Sequence, residues 1–492
     1  MGGISPLFFL IVLPLLGIVA IIFRAPARCT SLVVCVANVL IVFGMGLHFK
    51  IPTSEFLFEQ SLPWGSLPGL GVVNFRVGVD GINFPLVILT VIVALAAILV
   101  TPPKIDRARL FYSNLLLVIA GALGAFVSLD LFFLYIFHEV ALIPSFLLIG
   151  IWGYGPRRVY ASYQMTIYLL AGSLALLIGF LILLNAIPIA QRTTDLIVLR
   201  EWFRETSLPL NTQIQVYGWF LIGFGILVGL FPFHSWAPPA YSAAPSGLAM
   251  LHAGVLKKFG IYGLLRIVIP FVYKGAVPWE MIFSILIAGN LLVLGWVALA
   301  QRRLDQMLGF SSVMHMGYLF LGFLAGTQLS LSGVVLLMLG HGLSVSGLFG
   351  INGLVREKIS EGEMDRLGGL AKAFPFLGFA FVVFAMASVG LPGLANFPGE
   401  ILIFFGSWKN YPYLTLIALF GVIISSIYLL RAIKRVFFGQ SLMVLEKSSE
   451  KILYSAKLGI LILILSVLGF GLMPKLIGDK VSHSVTTWLG VR

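Results

Sequence analysis

Cysteine and charge are both scarce in this sequence, and each scarcity excludes a class of protein. Only Cys29 and Cys35 occur among 492 residues, and no CxxC motif or cysteine–histidine cluster is available for zinc, haem or an iron–sulfur cluster. Charged residues make up 10% of the chain, against about 25% in a soluble protein. A soluble enzyme is therefore excluded, and any electron transfer is expected on another chain.

Apolar residues, in contrast, make up 59% of the chain. A chain of this composition cannot cover its surface with polar groups, so the prediction is a polytopic membrane protein surrounded by the lipid bilayer. The net charge of +13 comes from basic residues in short loops between apolar runs. This is the distribution of the positive-inside rule, and no nucleic-acid partner is expected from it.

Apolar runs of about 20 residues, the length needed to cross a bilayer, recur along the chain. No basic segment precedes the first run, so we expect a retained span rather than a cleaved signal peptide. The fold class predicted is an all-α membrane protein with fourteen transmembrane helices. The predicted spans are 4–23, 29–48, 82–101, 110–128, 130–151, 160–185, 213–232, 246–271, 278–300, 307–326, 330–352, 373–392 continuing to 408, 412–435 and 455–477.

The basic residues of the loops favour one orientation, with both termini on the outer side. Eighteen of them then lie inside: Arg24, Arg28, Lys104, Arg107, Arg109, Arg157, Arg158, Arg302, Arg303, Arg356, Lys358, Arg366, Lys372, Arg431, Lys434, Arg435, Lys447 and Lys451. Ten lie outside: Lys50, Arg76, Arg192, Arg200, Arg204, Lys274, Lys409, Lys475, Lys480 and Arg492.

Helix-breaking segments interrupt two spans, LFPFHSWAPP in span 7 and GLPGLANFPGE in span 12. Each interrupted span is the fourth member of a five-span block, 110–272 and 273–440. Because five is odd, the second block has the opposite orientation. Paired broken helices in inverted repeats indicate an ion path near the midplane, although prolines that merely kink two helices remain the alternative. Residues 1–109 hold three spans and an outer hairpin, and 441–492 hold the last span.

Two segments outside the spans also predict structure. Residues 193–206 begin with a plausible N-cap and place Leu196, Leu199 and Phe203 on one face, which predicts a short interfacial helix on the outer side. The alternation in VVNFRVGVDGINFP, residues 72–85, predicts a small outer hairpin before span 3.

Ionisable side chains within the spans are the candidates for function, because each costs several kcal/mol at the bilayer centre. Glu139 lies mid-span, nine residues after Asp130, and Glu400 follows the second broken helix. Lys257 and Lys258 are adjacent in span 8, so only one of them faces a given channel. Three histidines also lie in apolar runs and can pass a proton along a water chain or simply pack: His252, His315 and His341.

Five stretches together resemble a known family: HEVALIPSFLLIGIWG, APSGLAMLHAGVLKKFGIYGLLR, FSSVMHMGYLFLG, LMLGHGLSVSGLFG and GLPGLANFPGEILIFFGSW. They are similar to the antiporter-like membrane subunits of respiratory complex I, the NADH:quinone oxidoreductase, of the M or chain 4 type. The resemblance covers most of the chain and is densest from 130 to 440. It implies fourteen helices, two inverted five-helix repeats and no redox cofactor here. NADH, FMN, iron–sulfur clusters and quinone are then expected on partner subunits of the membrane arm.

The resemblance also implies roles for individual residues. Glu139 matches the span-5 glutamate whose charge pairing gates a half-channel, and Lys258 matches the span-8 lysine that passes protons toward the centre. His315 and His341 match the central hydrophilic axis, and Glu400 matches the span-12 acid typical of M-type chains. With Lys257, His252 and Asp130, these residues form the predicted proton-translocation set.

The chain departs from the family pattern at several positions. Leu227 occupies the place of the span-7 lysine, so Glu139 lacks its expected partner and is predicted to be neutral or paired with another chain. His252 replaces an apolar residue. The other departures are Pro239, Tyr241 and Ala243 after the broken helix, and Arg303 and Asp305 after span 9.

The predicted function is that of a membrane-arm subunit of a proton-translocating NADH:quinone oxidoreductase, in a bacterial inner membrane with an organellar or thylakoid membrane as alternative. Two other functions stay open. One is a subunit of a multisubunit cation/proton antiporter or membrane-bound hydrogenase. The other, favoured by Leu227, is a structural paralogue that fills a translocation slot without conducting.

Overall fold

The computed structural model describes residues 4–49, 56–359, 361–440 and 452–490, and they are mostly helical. Of the loop residues counted above, Lys50, Lys447, Lys451 and Arg492 lie outside these ranges. The helices of the first half are α1 (Pro6–Ile22), α2 (Ala27–His48), α3 (Phe84–Val100), α4 (Ala108–Val127), α5 (Leu131–Trp152), α6 (Arg158–Asn185), α7 (Leu196–Glu205), α8 (Leu210–Val228), α9 (Ala237–Ala243) and α10 (Ser246–Leu251). The later helices are α11 (Lys258–Gly263), α12 (Ile269–Val272), α13 (Glu280–Ala288), α14 (Leu294–Ala300), α15 (Leu304–Ala325), α16 (Gln328–Ile359), α17 (Leu370–Ala373), α18 (Pro375–Val389), α19 (Asn396–Trp408), α20 (Pro412–Ala432), α21 (Tyr454–Leu472) and α22 (Lys475–Leu489).

Four π-helical turns continue the α-helices, and two short 3₁₀ segments lie between them. The π turns are His252–Leu256, Leu264–Val268, Gly289–Val293 and Ile433–Phe438, and the 3₁₀ segments are Ile189–Gln191 and Tyr273–Trp279. Within the described ranges, nine helices are long and apolar enough to cross a membrane, the largest being the 55-residue stretch Ser246–Ala300. Three shorter apolar helices, α1, α3 and α18, accompany them.

Two helices, α15 and α16, form the centre of the bundle. Every residue from 330 to 355 in α16 is buried. Peripheral helices instead expose large apolar side chains such as Phe43 of α2, Ile167 of α6 and Ile423 of α20. The exposed faces of these peripheral helices are therefore apolar, as contact with lipid requires, and the polar side chains between residues 330 and 355 are shielded from it.

A β-hairpin is present, but it does not occupy residues 72–85 as predicted. Strand β1 (Leu57–Leu67) pairs antiparallel with β2 (Gly71–Val79), and Ser61 lies opposite Arg76. The alternating segment forms only the second strand, since Phe84 already begins α3. The first strand contains a proline, a glycine and a tryptophan and lacks clean alternation, so the sequence pattern did not reveal it.

The predicted short helix outside the spans is α7. The Asp195 side chain caps it by accepting hydrogen bonds from the backbone N–H groups of Ile197 and Val198. Leu196 and Leu199 are buried and Phe203 packs beside them, so the predicted apolar face is confirmed.

Both predicted helix breaks are present. Helix α8 ends at Val228, and α9 begins eight residues after Gly229. Helix α18 ends at Val389, and α19 begins at Asn396. Gly229 and Gly390 follow the two helices in the left-handed conformation, with φ of 85° in both cases, which is a common way to end a helix. The breaks leave carbonyl and N–H groups at the helix ends without intrahelical partners, close to the central helices.

Candidate functional site

The central contact joins Lys258 and His341, which are far apart in sequence. The Lys258 Nζ lies 3.0 Å from His341 Nδ1 and 2.8 Å from the Ala253 carbonyl oxygen. Both side chains are buried. The helices approach closely here because glycines face each other, and a methyl group on Gly254 would lie 3.0 Å from the Gly342 carbonyl oxygen. A buried amine thus contacts a buried imidazole, which is a pair able to exchange a proton.

His315 continues the polar path from His341, with ring centroids 5.5 Å apart. Its Nδ1 lies 2.7 Å from the Ser311 carbonyl oxygen, and its Nε2 lies 2.8 Å from the Ser388 carbonyl oxygen. Carbonyl oxygens only accept hydrogen bonds, and a neutral imidazole carries one N–H. A neutral ring therefore donates to one of these oxygens at a time, and only a doubly protonated ring donates to both. Ser388 lies in the last turn of α18, at the negative end of that helix.

Glu400 lies on the far side of the same helix break. It is buried, and its Oε2 lies so close to Gly390 that an added methyl group would be 2.1 Å away. Its Oε1 has no hydrogen-bond partner among the described residues. Lys258, His341 and His315 therefore follow one another from α11 across α16 to α15. His315 then contacts the end of α18 at Ser388, and Glu400 of α19 lies beside Gly390 at that same helix end.

Lys257 and Lys258 are both buried, but they point in different directions. The Lys257 Nζ lies 3.4 Å from Ser312 Oγ and 5.2 Å from the centroid of the Tyr241 ring. His252 packs against Tyr241, with ring centroids 5.5 Å apart. No described residue hydrogen-bonds either ring nitrogen of His252 or the Tyr241 hydroxyl. This second cluster adjoins the path.

Glu139 lies at the edge of the molecule on α5, and its side chain is 27% exposed. Leu227, at the place of the expected lysine, is buried and lines a small apolar cavity. The basic group that contacts Glu139 is its neighbour His138, whose Nδ1 lies 3.3 Å from Glu139 Oε1. His138 was not among the residues predicted from the sequence, although it is an ionisable residue in mid-span, which is the same signal that identified Glu139.

Asp130 has a capping geometry. Its Oδ1 accepts hydrogen bonds from the N–H groups of Phe132 and Phe133, and its Oδ2 accepts one from the Thr194 hydroxyl at 2.6 Å. The carboxylate therefore starts α5 and ties it to the segment before α7. Of the predicted set, Asp130 and Glu139 both lie apart from the central path, and Asp130 is a helix cap.

A buried ion pair is the second feature that was not predicted from the sequence. Arg266 donates two hydrogen bonds to Asp80, at 2.9 and 2.8 Å, and both side chains are almost completely buried. Its guanidinium also lies 4.8 Å from the centroid of the Trp488 ring. The pair joins the loop before α3, the helix that carries Lys258, and α22. Arg266 lies in an apolar run, so its charge was the available signal.

A cavity of about 940 Å³ opens between the loops after α5 and α14, helix α9 and the last turns of α16. It is lined by Arg303, Asp305, Arg356 and Ser242 among others. The pKa of Arg303 is raised because Asp305 accepts hydrogen bonds from its guanidinium. In the part of the chain that the structure describes, no three His, Cys, Asp or Glu side chains converge as metal ligands would.

The fold and the buried path define a class of protein: a multi-span helical membrane protein with titratable side chains connected through broken helices. Comparison with known families gives the particular family. Residues 128–426 match the family model described as NADH:quinone oxidoreductase/Mrp antiporter, transmembrane. The chain belongs to this family.

Individual relatives and one solved structure agree with that assignment. The chain is 33% identical, over 91% of its length and 85% of the relative, to NAD(P)H-quinone oxidoreductase chain 4 1 of Synechococcus sp. (strain JA-3-3Ab). It is 34% identical, over 89% of its length and 88% of the relative, to the F(420)H(2) dehydrogenase subunit M of Methanosarcina mazei. A chain of respiratory complex I from Thermus thermophilus superposes with a TM-score of 0.87 and 27% identity, covering 99% of both chains.

Proposed function

We propose that this chain is a proton-translocating membrane-arm subunit of a complex I-type quinone oxidoreductase. The observation that carries the proposal is the 3.0 Å contact between Lys258 and His341 at the centre of the bundle. An amine and an imidazole buried together have no packing rationale that an apolar pair would not meet at lower cost. Their continuation through His315 to Glu400 supports transfer of protons along this line.

In this proposal each residue has a stated role. Lys258 delivers a proton to His341, His315 holds it between two carbonyl oxygens, and Glu400 receives it beyond the break in span 12. Glu139 controls access from the edge of the subunit. Lys257 and His252 support the path from the neighbouring cluster. Asp130 is retained as a structural cap.

The finer architecture is also part of the proposal. The chain crosses the membrane fourteen times, and residues 110–272 and 273–440 are inverted repeats with one broken helix each. Contacts among basic loops support a common inner side: Arg431 donates to the Gln301 carbonyl oxygen, and Arg435 pairs with Asp365. Both termini are then on the outer side of a bacterial inner membrane.

The redox chemistry is assigned to partner subunits. NADH, FMN, iron–sulfur clusters and quinone belong to them, and this chain holds none of these groups in the proposal. The relatives described above support an oxidoreductase assembly. Their electron donors differ, because one is an NAD(P)H-quinone oxidoreductase chain and the other an F(420)H(2) dehydrogenase subunit. A donor assay on the purified assembly distinguishes NADH from F420H2.

The proposal is tested by His341→Phe in the intact assembly, reconstituted into vesicles. Phenylalanine keeps a ring against His315 and removes the group that contacts Lys258. Proton uptake per electron is expected to fall sharply, while assembly on a native gel is unchanged. The matched control is Asn352→Ala on the same face of α16, three turns away. Normal proton uptake in an assembled His341→Phe complex contradicts the proposal.

One observation favours a second candidate, a subunit that fills a translocation slot without conducting. Leu227 has an apolar side chain at the position where a lysine was expected, and this side chain lines a small apolar cavity. For such a subunit, His341→Phe leaves proton uptake unchanged. An antiporter subunit is distinguished by sodium or potassium counter-transport without any quinone reductase activity.

A further inference from the structure

Helix α5 presents two neighbouring ionisable side chains to different surroundings. Ile136, Glu139 and Ile143 are three and four residues apart, so they share one face, and both isoleucines are exposed. Leu134, His138 and Ala141 form the adjacent face and are buried. Glu139 therefore lies on the rim of the molecule while His138 points into the bundle, and their side chains meet at 3.3 Å.

The surroundings of His138 are apolar except for a few groups. It lines a small cavity with Leu227 and Phe224 from α8 and Phe259 from α11, and the Phe259 ring lies 5.5 Å from its own. The titratable groups facing this region are Tyr135 on α5, Tyr262 on α11 and His252 at the start of the π turn before it. None of these three groups is within ion-pairing distance of Glu139 among the described residues.

A carboxylate on a membrane-facing helix needs an opposite charge or a hydrogen-bond donor. Among the described residues, His138 is the basic group in ion-pairing range of Glu139. We propose that His138 is the cationic partner of Glu139, so that one helix carries a complete acid–base pair. This inference rests on the proposed function, since it names the group that controls the charge of the gating carboxylate.

The pair has two states that conserve atoms and charge. In one, imidazolium His138 donates its Nδ1–H to carboxylate Glu139. In the other, that N–H bond has broken and an O–H bond has formed on Glu139 Oε1, which leaves two neutral groups. No further reactant is needed. In the ion pair, the Nδ1–H of His138 is held by Glu139. In the neutral pair, His138 is released from this contact and can exchange a proton with the interior.

The test uses the intact assembly with His138→Phe, and with Glu139→Gln to identify the Glu139 carboxyl band by infrared difference. Without the cation the carboxylic acid is favoured, so the pH at which this band disappears should rise by about one to three units. Proton uptake should move along the pH axis with it. His138→Lys keeps a cation and should retain uptake, and His48→Phe on the surface of α2 is the matched control.

A second-site variant separates charge pairing from packing. Leu227 lines the same cavity as His138, so Leu227→Lys in the His138→Phe background should restore both the infrared titration and proton uptake. If His138→Phe does not assemble, His138→Gln carries the same expectation. An unchanged Glu139 band in either variant overturns the inference. Loss of uptake in His341→Phe together with normal uptake in His138→Phe leaves the proposed function standing and removes His138 from it.

Discussion

Gly390 and the carboxylate of Glu400 occupy adjoining space, so closely that a methyl group on Gly390 would lie 2.1 Å from Glu400 Oε2. Gly390 is also in the left-handed conformation that ends α18. The helix break thus creates the room into which the carboxylate fits. Gly390 therefore serves two purposes: its left-handed backbone ends α18, and its lack of a side chain leaves space for the Glu400 carboxylate of the proposed path.

Gly390→Ala is expected to displace the Glu400 side chain and lower proton uptake to the level of Glu400→Ala. The left-handed conformation alone costs an alanine about 1–2 kcal/mol. Gly393→Ala is the matched control, because Gly393 has a φ of 91° but its added methyl group would meet only Leu472, at 3.6 Å. Both variants carry the strain of the left-handed conformation, but only Gly390→Ala meets the carboxylate, so equal proton uptake in the two would refute the steric explanation.

The two adjacent lysines should differ in their effect. Lys258→Met removes the group that contacts His341 and is expected to abolish proton uptake, whereas Lys257→Met removes a 3.4 Å contact with Ser312 and should reduce it only in part. Both substitutions leave an apolar side chain of similar length in a buried site. The comparison is made by proton uptake per electron in vesicles, and the reverse order would show that the path runs through Lys257.

The buried pair of Asp80 and Arg266 is expected to be structural. Asp80→Ala leaves an uncompensated guanidinium in the interior, which should cost about 3–5 kcal/mol of stability. The control is Asp365→Ala, which breaks an exposed pair with Arg435 and should cost less than about 1 kcal/mol. Thermal unfolding of the purified assembly measures both. Equal losses would mean that the Asp80 pair is as hydrated as the exposed one.

Glu361 predicts a pH-dependent loop outside the spans. Its pKa is lowered because the backbone N–H groups of Glu363 and Gly362 donate to the carboxylate, with the charge of Arg366 adding to this effect. Because the pKa is depressed in the folded loop, the ionised carboxylate stabilises the loop fully above the ordinary value of 4.5. This stabilisation is lost as the pH falls from 4.5 through the lowered pKa. At pH 7, Glu361→Gln should therefore lose hydrogen-exchange protection at these two amides. Well below pH 4, wild type and variant should converge, and a difference that persists there would argue against the carboxylate.

The sequence by itself determined the features that depend on local composition. Apolar runs predicted the helices, proline and glycine clusters located both breaks, and ionisable residues in apolar surroundings identified Glu139, Lys258 and Glu400. These signals are local because each helix must satisfy its own backbone hydrogen bonds in lipid. The first strand, which contains a proline and a glycine, was not predicted, because a short hairpin outside the spans gives a weaker pattern than an apolar helix.

Only the tertiary structure decided which polar groups meet. Lys258 and His341 are 83 residues apart, and Arg266 and Asp80 are 186 apart, so no spacing in the chain relates them. Their contacts depend on how closely the helices pack, which glycines such as Gly254 and Gly342 permit. The contact between Glu139 and His138 could not be predicted from the sequence either, although the two residues are adjacent. The directions of their side chains depend on which face of α5 is buried, and only the tertiary structure shows this.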